Sequence, residues 1–131
     1  MMTIEKNKKL SINEMRRIFE NSGIRRPIHD LQRLKRMRDN ANILYTAWQD
    51  GKAVGLLRGV SDGSYCCYIS DLAVDKTYQR QGIGKKLVTT LRQDLGSKIS
   101  LVLLAAPEAM NYYPKLGFEQ VTDAFKVLRK Y

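Results

Sequence analysis

The chain predicts an α/β domain, an α+β arrangement in which helices cover a mixed sheet, and three observations carry that expectation. Two amphipathic helical runs come first, two tight turn signals then cut a β-rich stretch into a meander, and a strand–helix–strand order follows that implies a parallel crossover. With 131 residues, 44% hydrophobic and 27% charged, the chain suits one domain over residues 1–131.

Each element has a local cause. Ser11-Ile12-Asn13-Glu14 fits a capping box, and Ile12, Met15, Ile18 and Phe19 recur at helical spacing up to Gly23, which predicts a helix over 12–22. Arg26-Pro27 begins a second helical run with Ile28, Leu31, Leu34 and Met37 on one face, ending near Asn40. Asp50-Gly51 joins a strand over 42–49 to one over 53–60, and Asp62-Gly63 leads into 65–74, the longest β-like run. A helix from the glycine-bearing segment 79–85 to Leu95 is closed by Gly96, and the apolar run 99–104 reads as a buried strand. Pro107 starts a short helix through Tyr113, Gly117 closes it, and terminal strands are expected near 118–121 and 125–128.

Composition narrows the partners. The formal charge of +10, concentrated in the first forty residues, points to anionic ligands or a solvated basic face. No window approaches a membrane span of roughly 18 apolar residues and no signal peptide is evident, so a cytoplasmic protein without membrane association is expected. Cys66 and Cys67 are adjacent on a strand-like run, so their side chains point to opposite faces and a disulfide between them is not expected. The single histidine, His29, has no partner for nucleophilic chemistry, and no cluster has metal-ligand spacing.

The segment Gln79-Arg80-Gln81-Gly82-Ile83-Gly84-Lys85 sits where a strand-like run turns into a helix. A helix start offers unpaired N–H groups and a positive dipole end, and glycines let an anion approach the main chain. Neither the Walker spacing nor the dinucleotide spacing is present. The pattern Gln79-x-x-Gly82-x-Gly84, with Tyr113-Pro114-Lys115-Leu116-Gly117-Phe118 downstream, resembles the GNAT superfamily of acetyl-CoA-dependent N-acetyltransferases. The order of elements over nearly the whole chain resembles that family as well.

That resemblance implies a cosubstrate and a division of labour. The main chain of Leu72, Ala73 and Val74 would bond the pantetheine arm of acetyl-CoA, and residues Gln79, Arg80, Gln81, Gly82, Ile83, Gly84 and Lys85 would hold its pyrophosphate. Tyr113 would protonate the departing thiolate, with Tyr112 as a rival hydroxyl. Many family members use a glutamate base on the central strands. The strand over 99–104 has no acid, so Asp71 is the substitute expected as base, with Glu108 or a water relay as alternatives.

Direct transfer to a primary amine of a small molecule or peptide, in a ternary complex, is the expected activity. Arg25, Arg26, Tyr45, Trp48 and Tyr68 are candidates for the acceptor wall, although Tyr45 and Trp48 are three apart and a regular strand aims them at opposite faces. The alternative is an inactive acyl-CoA sensor or nucleic-acid-binding module on the same fold; no nucleic-acid signature supports the latter. The edge of the terminal strands offers a surface for a homodimer.

Overall fold

The computed structural model describes residues 1–130. Five strands form one sheet in the order β1-β2-β3-β4-β5, with β1 at Met2–Lys6, β2 at Ile43–Gln49, β3 at Lys52–Ser61, β4 at Cys66–Val74 and β5 at Ser100–Leu103. The first four strands pair antiparallel, and β4 pairs parallel with β5. Helices α1 (Ile12–Ser22) and α2 (Leu31–Asn40) cover one face, and α3 (Ile83–Leu95) covers the other. The mixed sheet with helices on both faces is the fold the sequence predicts.

Local chemistry sets the boundaries. The Ser11 side chain accepts from the Glu14 N–H and the Glu14 carboxylate accepts from the Ser11 N–H, closing the capping box, while Gly23 ends α1 in the left-handed region. The β2–β3 turn uses Asp50 and Gly51, both at positive φ (50° and 82°), as a two-residue turn that follows sheet twist requires. Helix α2 starts at Leu31 rather than beside Pro27, because the Asp30 carboxylate accepts from the Arg33 N–H and caps it there. Residues 26–30 instead make tight turns, with the Asp30 N–H donating to the Pro27 carbonyl.

Three expectations are corrected. Strand β1 was not foreseen: only Met2 and Ile4 of its five residues are partly buried against the core, so its pattern is the weak one of a short edge strand. The short helix after Pro107 is two separate 3₁₀ turns, Pro107–Ala109 and Tyr113–Leu116. The terminal strands do not form. Residues 118–130 carry no strand assignment, and Phe125, Val127 and Leu128 are 98%, 96% and 75% exposed.

Two apolar layers fill the space on either side of the sheet. Leu87, Val88 and Leu91 of α3 meet Tyr45, Val54, Leu57, Cys67 and Ile69. Met15, Ile18 and Phe19 of α1 and Leu34 of α2 meet Leu44, Leu56 and Ala73. The face of β4 that is buried changes along its length: Cys67 and Ile69 face α3, and beyond Ser70 it is Leu72 and Val74 that do so, leaving Ala73 with α1 and α2. The cause is a bulge, since Arg58 pairs with Asp71 and Gly59 with Ile69, leaving Ser70 as an extra residue. A side chain at position 59 would approach the Tyr68 carbonyl oxygen to 2.5 Å, so the bulge needs glycine there.

A polar staple ties the far edge to α3. The Tyr45 hydroxyl donates to Asp94 at 2.6 Å and Lys6 pairs with the same carboxylate at 3.0 Å. Donation by Tyr45 holds the Asp94 carboxyl below its ordinary range. A carboxyl so lowered stabilises the fold above its unfolded-state value, and that contribution disappears as pH falls through the folded one. Tyr45→Phe is therefore expected to cost about 1.5 kcal/mol near neutral pH. The difference from wild type should shrink in acid below the ordinary carboxylate range, as read by urea unfolding.

Candidate active site

The sheet opens where β4 leaves β5. Their pairing runs only from Cys66 with Ser100 to Ile69 with Leu103, so Ser70, Asp71, Leu72, Ala73 and Val74 have β3 on one side and no strand on the other. Main-chain groups along that stretch are left without a strand partner on that side. Leu72, Ala73 and Val74, expected to bind an amide-bearing arm, lie on this open edge.

At the end of β4 the chain turns into α3. Asp75, buried, caps a 3₁₀ turn by accepting from the Thr77 N–H at 2.9 Å, and Asn21 of α1 donates to its other oxygen. The Gln79 amide donates back to the Val74 carbonyl at 2.8 Å, which folds the loop against the strand end. Arg80 and Gly82 then take positive φ, 65° and 80°. Gly82 is the N-cap of α3 with no side-chain cap bond, so the first N–H groups of a thirteen-residue helix are left for another acceptor. Gln79, Arg80, Gln81, Gly82 and Lys85 are exposed around this opening, while Ile83 and Gly84 are buried. An anionic group with several oxygens fits the chemistry of this donor set.

Gly84 has a steric reason to be small. A Cβ built on it would overlap the Tyr112 hydroxyl, and Leu72 is its next neighbour on that side, at 3.9 Å. The segment carrying Tyr112 and Tyr113 therefore closes directly over the start of α3. The Tyr113 ring packs edge-on against Tyr112 at 5.3 Å and against Phe118 at 5.7 Å, and the Phe118 N–H donates to the Tyr113 carbonyl at 3.2 Å. Gly117, at φ 93°, makes the return that brings Phe118 back to it. Burial raises the Tyr113 phenol above its ordinary value, with the nearby Arg26 cation opposing the shift. Burial raises Tyr112 too.

Asp71 directly follows the bulge residue of β4 and is 1% exposed. Its two oxygens accept from different arginines: Arg26 Nε at 2.5 Å and Arg58 Nε. Each guanidinium has a second tie to Ser70, Arg26 to its carbonyl at 2.8 Å and Arg58 to its hydroxyl at 2.9 Å. The bulge residue and the carboxylate are thus gripped by the same pair of side chains. Sequence reasoning did not single out Arg58. Its signal was a lone cation within the apolar run of β3, one hairpin away from a lone carboxylate in β4.

The remaining wall candidates separate as strand parity requires. Tyr45 is buried on the α3 side, bonded to Asp94. Trp48 lies on the opposite face with the Lys8 ammonium 3.9 Å from its ring, while Arg25 and Tyr68 are exposed and Arg26 is partly so. Glu108 is exposed in the first 3₁₀ turn after β5. Cys66 and Cys67 are both free, the first exposed and the second buried. Among the described residues no acidic, histidine or cysteine cluster could hold a metal ion, and no helix is long and apolar enough to cross a membrane.

Known proteins resemble this chain in sequence and in fold. A protein of Pyropia yezoensis named uncharacterized N-acetyltransferase ycf52 is 29% identical over 130 residues, covering 94% of this chain and 73% of that protein. GCN5-related N-acetyltransferase 2, chloroplastic, of Arabidopsis thaliana is 35% identical over 83 residues, 60% of this chain but only 31% of that protein, so this chain spans about a third of that relative. A crystal structure from Staphylococcus aureus, described as a probable acetyltransferase, superimposes over all of both chains with a TM-score of 0.83 at 21% identity. An aminoglycoside N-acetyltransferase solved in complex with CoA superimposes over 99% of this chain and 95% of its own, with a TM-score of 0.74 at 16% identity. Residues 18–127 match the family model of the acetyltransferase (GNAT) domain, and the chain belongs to that family of acetyltransferases.

Proposed function

We propose that the protein transfers the acetyl group of acetyl-CoA directly to a primary amine, with both substrates held in the cleft between β4 and β5. The observation that carries this reading is the open edge of Ser70–Val74 leading straight into an uncapped helix start. An amide-bearing arm pairs with a strand edge, and a pyrophosphate suits a helix N-terminus. Acetyl-CoA supplies the activated acyl group. Leu72, Ala73 and Val74 bind its arm, and Gln79 through Lys85 bind its pyrophosphate. No side-chain nucleophile is required, and the two free thiols, lacking a basic partner, play no covalent part.

Tyr113 donates the proton that the thiolate needs on departure. Its phenol, raised by burial, stays protonated throughout the neutral range. Backbone N–H groups at the β4 edge polarise the thioester carbonyl without reorganising. For Asp71, expected from sequence as the base, the neighbours favour a positioning part: with both oxygens engaged by guanidiniums, it anchors Arg26 beside Tyr113 and fixes the bulge. The acceptor ammonium then loses its proton to water at the cleft mouth. The exposed Arg25 and the partly exposed Arg26 favour an acceptor that also carries a carboxylate or phosphate.

These roles are open to direct test. Acetyl-CoA at millimolar concentration should raise the melting temperature of the purified protein, and an amine panel assayed for CoA release should identify the acceptor; absence of both would defeat the reading. Tyr113→Phe should lower kcat by about 10²- to 10⁴-fold while leaving acetyl-CoA affinity within a few-fold. Asp71→Asn should cost about 3 kcal/mol in urea unfolding, because two partly buried guanidiniums lose their counter-charge. The pH dependence of kcat/KM for the variant that remains folded should follow the acceptor amine, as in wild type; loss of the rising, acid-side limb would return the base role to Asp71.

A further inference from the structure

The face of the sheet turned away from α3 is only partly roofed. In β4, Cys67 and Ile69 pack under α3, so Tyr68 between them points to the other face. Tyr68 pairs with Val60 of β3 and with Val102 of β5, and cross-strand partners share a face. The three side chains therefore form one row across three strands, about 10 Å wide. Helices α1 and α2 pack on Leu44, Leu56 and Ala73 and leave that row uncovered, with Val60, Tyr68 and Val102 at 47%, 39% and 47% exposure. Leu104, one residue past the last β4–β5 pair, adds another exposed apolar side chain where the two strands part.

A cation closes one end of the row. Ser70 lies two residues beyond Tyr68, about 7 Å along β4, and its carbonyl accepts from Arg26 Nη2. Arg26 also donates from Nε to Asp71 and from Nη1 to the Arg25 carbonyl at 2.6 Å. A guanidinium has five N–H groups, so one remains on each terminal nitrogen, and the side chain is 26% exposed. Arg26 and Arg58 share the single carboxylate of Asp71, which leaves one positive charge uncompensated. That excess matches a carboxylate better than a doubly ionised phosphate.

The size of the platform selects the kind of occupant. Four partly exposed side chains fall far short of the roughly 800 Å² that each partner of a stable protein interface buries. They match instead one apolar side chain laid along the row with its polar end at Ser70. The open edge of β4 begins at that same residue. An α-amino acid carries its amine and its carboxylate on one carbon, so pairing the carboxylate with Arg26 brings the nitrogen to the place where the strands part.

We infer that the acceptor is a free α-amino acid with a large apolar or aromatic side chain, its carboxylate held by Arg26 and its side chain lying on Val60, Tyr68 and Val102. This rests on the acetyl-transfer reading above and names the substrate class for it. The α-nitrogen forms an amide bond to the acetyl carbon as the carbon–sulfur bond breaks, giving the N-acetyl amino acid and CoA. The acceptor ammonium gives up two protons: one goes to water before attack, and the other, released as the amide forms, replaces the proton that Tyr113 hands to sulfur.

CoA release with L-phenylalanine, L-alanine, L-phenylalaninamide and phenethylamine as acceptors tests each contact. L-Phenylalanine should exceed each of the others by about tenfold or more in kcat/KM, because alanine lacks the apolar body and the other two lack the carboxylate. Tyr68→Ala should raise KM for L-phenylalanine about tenfold and erase its advantage over L-alanine. The far-UV spectrum of that variant and its thermal shift with acetyl-CoA should stay as in wild type, which separates a lost contact from a lost fold. Equal or better transfer to phenethylamine or L-phenylalaninamide, or a Tyr68→Ala variant that keeps the preference for L-phenylalanine, would overturn the inference and leave acetyl transfer standing. A thermal shift with acetyl-CoA but no transfer to L-phenylalanine would do the same, whereas no shift and no transfer to any amine would defeat the acetyl-transfer reading along with it.

Discussion

The bulge at Ser70 is the constraint on which the rest of the molecule turns. One extra residue in β4 reverses the parity of everything after it, so that Cys67 and Ile69 pack under α3 while Asp71 and Ala73 point to α1 and α2. It also increases the local twist, and β4 parts from β5 directly beyond Ile69. Without it the carboxylate of Asp71 would point into the apolar layer of Leu87 and Val88, where no cation is present to meet it. A regular ladder would also carry β5 on alongside β4, and there would be no open edge and no cleft.

The two arginines hold that irregularity in place. A bulge leaves main-chain groups outside the ladder, and here Arg26 takes the Ser70 carbonyl while Arg58 takes the Ser70 hydroxyl. Two guanidiniums side by side would repel, and Asp71 between them supplies the counter-charge that lets both approach. Buried ion pairs are weak contributors to net stability, because desolvation offsets their attraction, but they strongly penalise alternatives in which one partner is left alone. The triad therefore acts on register: a slip of one residue would strand three charges at once. In the same arrangement Arg26 is set beside Tyr113, where its charge counters part of the effect of burial on the phenol.

Much of this was legible in the residues. The capping box at Ser11, the Asp50-Gly51 turn and Gly96 each specify a backbone conformation that few other residues adopt, and the elements they bound stand where expected. The helix start at Gly82 and the Tyr113–Phe118 element were legible for the same reason. The bulge was not, because Ser70 has no property that marks it as extra; its parity shift shows only when the pairing with β3 is known. The Asp30 cap of α2 was hidden by a proline three residues earlier that also suits a helix start. The terminal strands were read from the apolar residues that follow Gly117 and from the order of elements in the resembling family. Apolar residues describe what a segment can bury, and not whether its own chain offers a surface to bury it.

Gly84 and Tyr112 show how the two sequence elements of the site depend on each other. They lie 28 positions apart, yet the hydroxyl of one occupies the space that a side chain on the other would take. The small residue is required at the helix start less for its own backbone freedom, since Gly84 sits inside regular helix, than for the volume it leaves to Tyr112. That contact sets the height of the Tyr112–Tyr113 segment above α3 and, through the chain, the position of the Tyr113 phenol. A ligand that orders the helix start must then also favour the placed phenol, and by reciprocity a well-placed Tyr113 segment must tighten the ligand's hold. On the proposed reading, binding of the donor and readiness of Tyr113 as the acid would be one equilibrium.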